Sequence, residues 1–216
     1  MNSSNVATIT DSLTSIYNDN TMKARAIFTW IALNTELDVR ATKTNDMKNN
    51  KPERVLELRK GTPLGLATLF QEMCSQANVR CLLVNGFTKF TTQQMGDAAD
   101  EPNYCWNVVQ LGTSPTEWQY VDVAKACGSF DSKMIMFTKK FSDRYFFPDK
   151  ATFNLEHAPQ NKSWLLGEGT ADVKAFYTMP LISSGAYAHN VSKPEPRKGM
   201  MQVKTNRNIP FRFTVQ

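Results

Sequence analysis

The chain has 216 residues, enough for one sizeable core, and its 41% hydrophobic and 21% charged residues are typical of a globular domain. Its net charge of +5 is mildly basic, but lysine and arginine are scattered among acidic residues and form no run interleaved with stacking aromatics, which disfavours a nucleic-acid ligand. No apolar run approaches the roughly 20 residues that span a membrane. The polar start, residues 1–4, also lacks the apolar core of a signal peptide.

The cysteines and histidines do not have the spacing of a metal site. The four cysteines form no Cys-x-x-Cys pair, and only two histidines are present. We therefore expect neither a metal nor a cofactor. Cys74, Cys81 and Cys105 fall in apolar helical or strand-like runs, which is typical of small buried hydrophobic residues. Cys127, beside Gly128, is expected in a loop.

The first third of the chain is predicted to be helical. Apolar residues recur at helical spacing in two segments, and a proline followed by an acidic residue marks the start of a third. These predicted helices cover residues 6–17, 23–33 and 52–58. The polar segment 34–50 has no apolar period, so we expect mostly loop there.

The central helix of the domain is predicted to begin at the sequence Gly61-Thr62-Pro63. Thr62 is a good N-cap because its hydroxyl can accept a hydrogen bond from an otherwise unpaired backbone N–H. Pro63 suits the first helical position, where its missing N–H is not needed. Apolar residues at helical spacing then continue as far as Met73.

A set of strands follows this helix. The segments 80–90, 104–111 and 117–123 are rich in β-branched and aromatic residues and are separated by polar or turn-forming segments (91–103 and 112–116). Because the strands follow the helices instead of alternating with them, the fold class is predicted to be α+β with an antiparallel sheet.

The remainder of the chain is less regular. Residues 128–143 are predicted to be irregular, and residues 144–147 are predicted to form a short aromatic strand. Two short helices are predicted at 149–156 and 171–177, with an apolar cluster at 164–166 between them. Residues 201–215 are predicted to form a loosely alternating tail. His157-Ala158-Pro159 is expected to end the first of the two short helices. From Ser192 the composition shifts towards proline, lysine and arginine.

Several motifs occur in the order found in one known superfamily. They are Lys23 to Ala32, Arg59-Lys60-Gly61, Gly65 on a helix, Tyr104-Cys105-Trp106-Asn107 and Tyr120-Val121-Asp122. This set resembles the transglutaminase-like superfamily, whose fold is similar to that of papain-like cysteine proteases. The later segments 144–149, 157–159 and 164–166 resemble its kyphoscoliosis-peptidase-like branch, of a type common in bacteria. The resemblance covers roughly residues 20–185.

The resemblance implies a Cys-His-Asp triad, of which one member is present here. The family places a thiol at the helix start, where the helix dipole favours the thiolate, a histidine as base and an aspartate that orients the histidine. These positions correspond to Pro63, Tyr104 and Asp122. Proline has no nucleophile, and a tyrosine with a pKa near 10 is a poor base at neutral pH.

Other residues are not expected to restore the chemistry. Thr62 is expected to use its hydroxyl in capping, and Cys105 should face away from Tyr104 by strand alternation. Cys74 is about three turns into the helix, roughly 16 Å from its start. His157 matches a family histidine outside the triad and is expected to be structural, and His189 is expected in a polar loop.

We therefore expect a catalytically inactive, pseudoenzyme domain that binds a peptide, a glycan-peptide or a protein. Its candidate groove residues are Gly61, Thr62, Gly65, Trp106 and Asn107, although Gly65 and Trp106 could equally be kept for packing. One alternative is an active cysteine peptidase or acyl transferase with relocated catalytic residues. Another is a purely structural domain of a larger exported protein.

The predicted domain organisation has three parts. A transglutaminase-like core occupies residues 1–142, and a family-specific extension packed on the core occupies 143–190. A β-rich tail, the start of a further β domain, occupies 191–216. The resemblance also suggests export to the periplasm or cell surface.

Overall fold

The computed structural model describes residues 5–90, 94–112, 117–131, 133, 135–182, 186, 189, 191–204 and 206–215. They form two compact units. The first contains Met1–Asn85 and Tyr104–Pro148, and the second contains Gly86–Asn103 and Asp149–Gln216. The three-part division at residues 142 and 190 stays a prediction. No helix among the described residues has the length and apolarity to cross a membrane.

The first unit contains the four predicted helices and, in its described residues, two that the sequence pattern did not reveal. Among its described residues, the α-helices are α1 (Val6–Thr14), α2 (Asn20–Asn34), α3 (Val39–Thr44), α4 (Pro52–Leu58), α5 (Pro63–Gln76) and α6 (Val123–Cys127). Helices α3 and α6 are the two that the pattern did not reveal. Helix α3 lies in the segment predicted as loop, and that prediction was wrong. None of the side chains of α3 is buried, and its sequence therefore shows no apolar period. The local indication of this helix is its N-cap, Asp38, whose carboxylate accepts a hydrogen bond from the Ala41 N–H.

Two short strands position the start of α5. Strand β1 (Glu36–Leu37) is parallel to β2 (Lys60–Gly61), the segment immediately before α5. The Asp38 N–H donates to the Gly61 carbonyl at 2.8 Å, which anchors the residue before the helix cap.

The sheet of the first unit has the predicted antiparallel strands. Strand β4 (Tyr104–Gln110) lies between β3 (Cys81–Thr88) and β5 (Trp118–Val121), and Asn107 is paired with Val121. The first unit also has a hairpin of β6 (Gly128–Phe130) and β7 (Phe137–Lys139). The aromatic segment 144–147 was predicted as a strand, but it forms a 3₁₀ turn and then a single bridge from Phe146 to Val121.

The second unit contains short elements around a small apolar cluster. The end of β3 pairs with β8 (His157–Pro159), and the other elements are α7 (Lys150–Phe153), α8 (Val173–Thr178) and the antiparallel pair β9 (Val191–Glu195) and β10 (Arg212–Val215). Phe87, Ala158, Phe176 and Tyr177 form the cluster. His157 to Pro159 were expected only to end a helix, but they form β8. The predicted turn at 112–116 falls mostly outside the described residues.

Candidate functional site

The start of α5 is closed by hydrogen bonds. The Gly65 N–H donates to the Thr62 hydroxyl oxygen at 3.2 Å, and the Thr62 hydroxyl donates to Asn50 Oδ1 at 2.7 Å. Pro63 occupies the first helical position, as predicted. The Thr62 hydroxyl is thus both donor and acceptor within the fold, and Pro63 adds no polar side-chain atom. The sequence pattern did not reveal Asn50 as the partner, because it lies in a polar segment without periodicity.

Tyr104 and Asp122 form a buried pair. The Tyr104 hydroxyl lies 3.0 Å from each carboxylate oxygen of Asp122, and the two residues are 5% and 1% exposed. Asp122 also caps α6 by accepting from the Lys125 N–H at 2.9 Å. The Lys125 ammonium lies 5.7 Å from the centre of the Tyr104 ring.

The electrostatics of this pair keep the phenol protonated. Burial raises the pKa of Tyr104 well above its ordinary value, and the negative charge of Asp122 raises it further. At neutral pH the hydroxyl is therefore a hydrogen-bond donor to the carboxylate, and it does not take a proton from a nucleophile.

The five candidate groove residues are all buried. They are Gly61, Thr62, Gly65, Trp106 and Asn107. The Asn107 side-chain amide donates to the Ala67 carbonyl at 3.1 Å and so connects β4 to α5. A Cβ atom on Gly65 would lie 2.9 Å from Asn50 Oδ1 and 3.1 Å from a Val55 methyl group, so there is no room for one. These contacts are internal, and a ligand would reach these residues only after they moved. Their part in ligand binding stays a prediction.

The four thiols are buried. Burial raises the pKa of Cys74 and Cys105 well above the ordinary value, and it raises that of Cys127 to about 12. The neighbouring Cys81 raises the pKa of Cys74 further, and the Cys127 thiol donates to the Val123 carbonyl at 3.2 Å. Among the described residues, no thiol is hydrogen-bonded to a histidine. The interpretation of three of them as small buried residues is confirmed, while Cys127 ends α6 instead of lying in a loop.

The two histidines lie in the second unit. His157 is buried, with Nδ1 3.0 Å from the Phe153 carbonyl oxygen and its ring stacked on Phe153 at 3.8 Å, which fits the predicted structural role. His189 is exposed. The described residues include no group of three or more His, Cys, Asp or Glu that could hold a metal ion.

One family model matches the chain. Residues 7–123 match the model of the transglutaminase-like superfamily. The chain therefore belongs to this superfamily, and the predicted α+β, papain-like core is confirmed.

The chain is similar to parts of longer animal proteins. It is 30% identical over 181 residues to kyphoscoliosis peptidase of Mus musculus, an alignment that covers 83% of this chain and 27% of that protein. It is 27% identical over 183 residues to Lim and transglutaminase domain protein ltd-1 of Caenorhabditis elegans, covering 78% and 24%. The chain thus spans about a quarter of the length of these relatives. A solved structure described as a TGase shares 14% identity with a TM-score of 0.40, covering 65% of this chain and 33% of that one.

Proposed function

We propose that this chain is a transglutaminase-like domain without catalytic activity that acts by binding a protein or peptide. The observation that supports the proposal is the pair of hydrogen bonds from Tyr104 to Asp122. Tyr104 occupies the position at which the family's motif has its histidine. Here that position contains a donor that the carboxylate holds in its protonated form.

The chemistry of a thiol triad needs two groups whose positions are filled differently here. The thiol must lose its proton to a base within about 3 to 4 Å, and the base must be unprotonated at neutral pH. Pro63 has no proton to lose. Tyr104, with its raised pKa, is not a base at that pH.

The binding part of the proposal rests on the family fold, which this chain has, although Pro63 and Tyr104 stand where the family's motif has a thiol and a histidine. The capped start of α5 and the Asn107–Ala67 bond between sheet and helix support the proposal, because they hold the helix start and the sheet in fixed positions. The superfamily resemblance suggests a peptide, glycan-peptide or protein as partner. Export from a bacterial cell is part of the same proposal and rests on the resemblance alone.

Activity assays test the first part. We expect purified protein to give background rates both in the incorporation of a fluorescent amine into casein and in the hydrolysis of fluorogenic peptides. The matched variant is Asp122→Asn, which should leave those rates unchanged. A rate that Asp122→Asn or a Cys→Ala substitution abolishes would contradict the proposal.

Rebuilding the triad tests the assignment of positions. The double substitution Pro63→Cys, Tyr104→His should produce a thiol with a pKa in the range of about 3.5 to 7.5, measured from the pH dependence of iodoacetamide alkylation. The single variant Pro63→Cys is the control and should titrate higher, because it lacks the histidine. If the thiol of the double variant titrates near the free value of about 8.5, residue 63 is not the nucleophile position.

A displayed random-peptide library tests the second part. We expect immobilised protein to enrich peptides that share a motif and that bind again as purified synthetic peptides. Failure to enrich any common motif would count against a binding function.

A further inference from the structure

The basic charge of the chain is concentrated in its last 26 residues. Residues 191–216 contain six lysines and arginines and one glutamate, a net charge of +5, which equals the net charge of the whole chain. The preceding 190 residues contain 19 basic and 19 acidic residues and are neutral. The mixing of charges expected from the sequence therefore applies to residues 1–190 but not to this segment.

The same segment exposes apolar side chains at alternate positions. We call β9 and β10 together the C-terminal ribbon. Phe211, Phe213 and Val215 are 73%, 62% and 62% exposed. Phe213 and Val215 are alternate residues of β10, so their side chains lie on the same face of the strand, and Arg212 lies on the opposite face. Phe211 immediately precedes the strand and extends this apolar row by one residue.

The ribbon also has an available edge. Among the described residues, β10 pairs with β9 alone, in an antiparallel ladder that places Arg212 opposite Glu195 and has one irregularity in register between Arg212 and Thr214. The outer edge of such a strand presents backbone N–H and C=O groups that can pair with another strand. A two-stranded ribbon is marginally stable by itself, and a third strand both completes the hydrogen bonds and covers apolar surface.

Two arginines line a shallow pocket of about 460 Å³ at one end of the ribbon, formed by the ends of β9 and β10 and the residues next to them. Its lining residues are Glu195, Pro196, Arg197, Ile209, Pro210 and Arg212. Within the described part of the chain, neither Arg197 nor Arg212 is in a salt bridge, although Glu195 is the ladder partner of Arg212. A guanidinium group stays charged at all ordinary pH values, and its planar fork suits a carboxylate.

From these features we propose that the C-terminal ribbon binds an extended segment of a partner protein in which apolar and acidic side chains alternate. The segment adds to the ribbon as a further strand. Its apolar side chains cover the row at residues 211, 213 and 215, and its carboxylates reach Arg197 and Arg212. This is the strand-addition mode of peptide recognition, in which backbone hydrogen bonds give affinity and alternate side chains give specificity.

Charge and composition favour this occupant over two others. A second copy of the chain would bring its own segment 191–216, of net charge +5, against the same segment of this copy. Nucleic acid would use stacking on aromatic rings, whereas four of the six exposed large apolar side chains described in residues 191–216 are aliphatic. The six are Met200, Met201, Val203, Phe211, Phe213 and Val215.

The inference names the surface and partner class of the proposed binding function and so rests on that function. The test uses the full chain and a fluorescein-labelled peptide of alternating valine and glutamate, with binding followed by fluorescence anisotropy. Three peptides serve as controls: one with lysine in place of glutamate, one with the same residues in two blocks, and one N-methylated at alternate amides. We expect the first peptide to bind and each control to bind at least about tenfold more weakly, because each lacks one component of the recognition.

Variants locate the binding surface. Arg197→Glu combined with Arg212→Glu should weaken binding about tenfold, since each change turns an attraction into a repulsion. Phe211→Ser combined with Phe213→Ser should do the same by removing the apolar row. Both phenylalanines are exposed, so the fold should tolerate the change. Lys174→Glu on α8, an exposed residue outside the ribbon, is the matched charge control and should bind like the unchanged protein.

Other results would overturn the inference. Equal binding of the lysine peptide or the N-methylated peptide would exclude acidic strand addition. Tighter binding of oligo-dT or of phosphatidylserine vesicles, lost in the double arginine variant, would assign the ribbon to nucleic acid or to lipid. If peptides from the displayed library bind but the ribbon variants leave that binding unchanged, the binding function stands and the ribbon is not its site.

Discussion

Removing one oxygen atom from Tyr104 tests how the buried pair contributes to stability. Tyr104→Phe keeps the ring, and with it the packing at the start of β4, but deletes the donor to Asp122. The carboxylate is 1% exposed, so bulk water cannot freely replace the lost hydroxyl, although the Lys125 N–H still donates to one carboxylate oxygen.

The expected cost at neutral pH is about 2 kcal/mol in the free energy of unfolding, the middle of the range for a hydrogen bond to a charged group. Denaturant titration monitored by tryptophan fluorescence measures this cost. The matched control is Tyr17→Phe, because the Tyr17 hydroxyl has no hydrogen-bond partner among the described residues. That variant should change the free energy of unfolding by less than about 0.5 kcal/mol.

The pH dependence gives a second measurement. The pKa of Tyr104 is raised in the folded state, so the folded protein keeps the phenolic proton after the unfolded chain has begun to lose it. Stability from this group is fully present below the unfolded pKa near 10 and is lost as the pH rises towards the folded pKa. In that window the free energy of unfolding should fall by up to about 1.4 kcal/mol per pH unit because of this residue.

Tyr104→Phe lacks this titration. The difference in stability between the unchanged protein and the variant should therefore shrink as the pH rises above about 10. Tyr177 also has a raised pKa, but it is present in both proteins and cancels in the difference. Two results would refute the proposed role of the pair. One is a Tyr104→Phe variant that is as stable as the unchanged protein at neutral pH, and the other is a stability difference between the two proteins that stays constant above about pH 10.

Two further predictions concern the helix cap and the thiols. Thr62→Ala should lower the free energy of unfolding by about 1 kcal/mol or more, because both Gly65 and Asn50 lose their partner. Thr68→Ala, whose hydroxyl donates within the same helix, should cost less in the same denaturant titration. A thiol reagent at mildly alkaline pH should label none of the four cysteines in the native protein and all four in guanidinium, since burial raises the pKa of Cys127 to about 12 and shields the others. Rapid native labelling of any one of them would contradict the burial described.

The pattern-based predictions succeeded where neighbouring residues carry the information. Helix α5 begins at Pro63 after a Thr62 cap because the cap, the proline and the apolar period lie within a few residues of one another. The predicted strands at 80–90, 104–111 and 117–123 contain β3, β4 and β5. Helix α3 was missed because a short, solvated helix shows no apolar period.

The order of motifs along the chain also predicted that Tyr104 and Asp122 correspond to two triad positions of one family, and that correspondence stays a prediction. The contact between the two side chains was not predictable from the pattern. These residues are 18 positions apart, and only the antiparallel pairing of β4 with β5 brings the hydroxyl to 3.0 Å from both carboxylate oxygens.

The amino-acid sequence by itself determined the start of α5, the α+β class and the family, because each of these depends on local spacing or on order along the chain. Only the tertiary structure decided what the candidate site residues contact. It buried the five candidate groove residues and joined Asn107 to the carbonyl of Ala67. Burial and long-range hydrogen bonds depend on which distant segments pack together. For that reason the start of α5 could be predicted from its sequence. The hydrogen bond from Thr62 to Asn50 and the pairing of Tyr104 with Asp122 are found only in the folded chain.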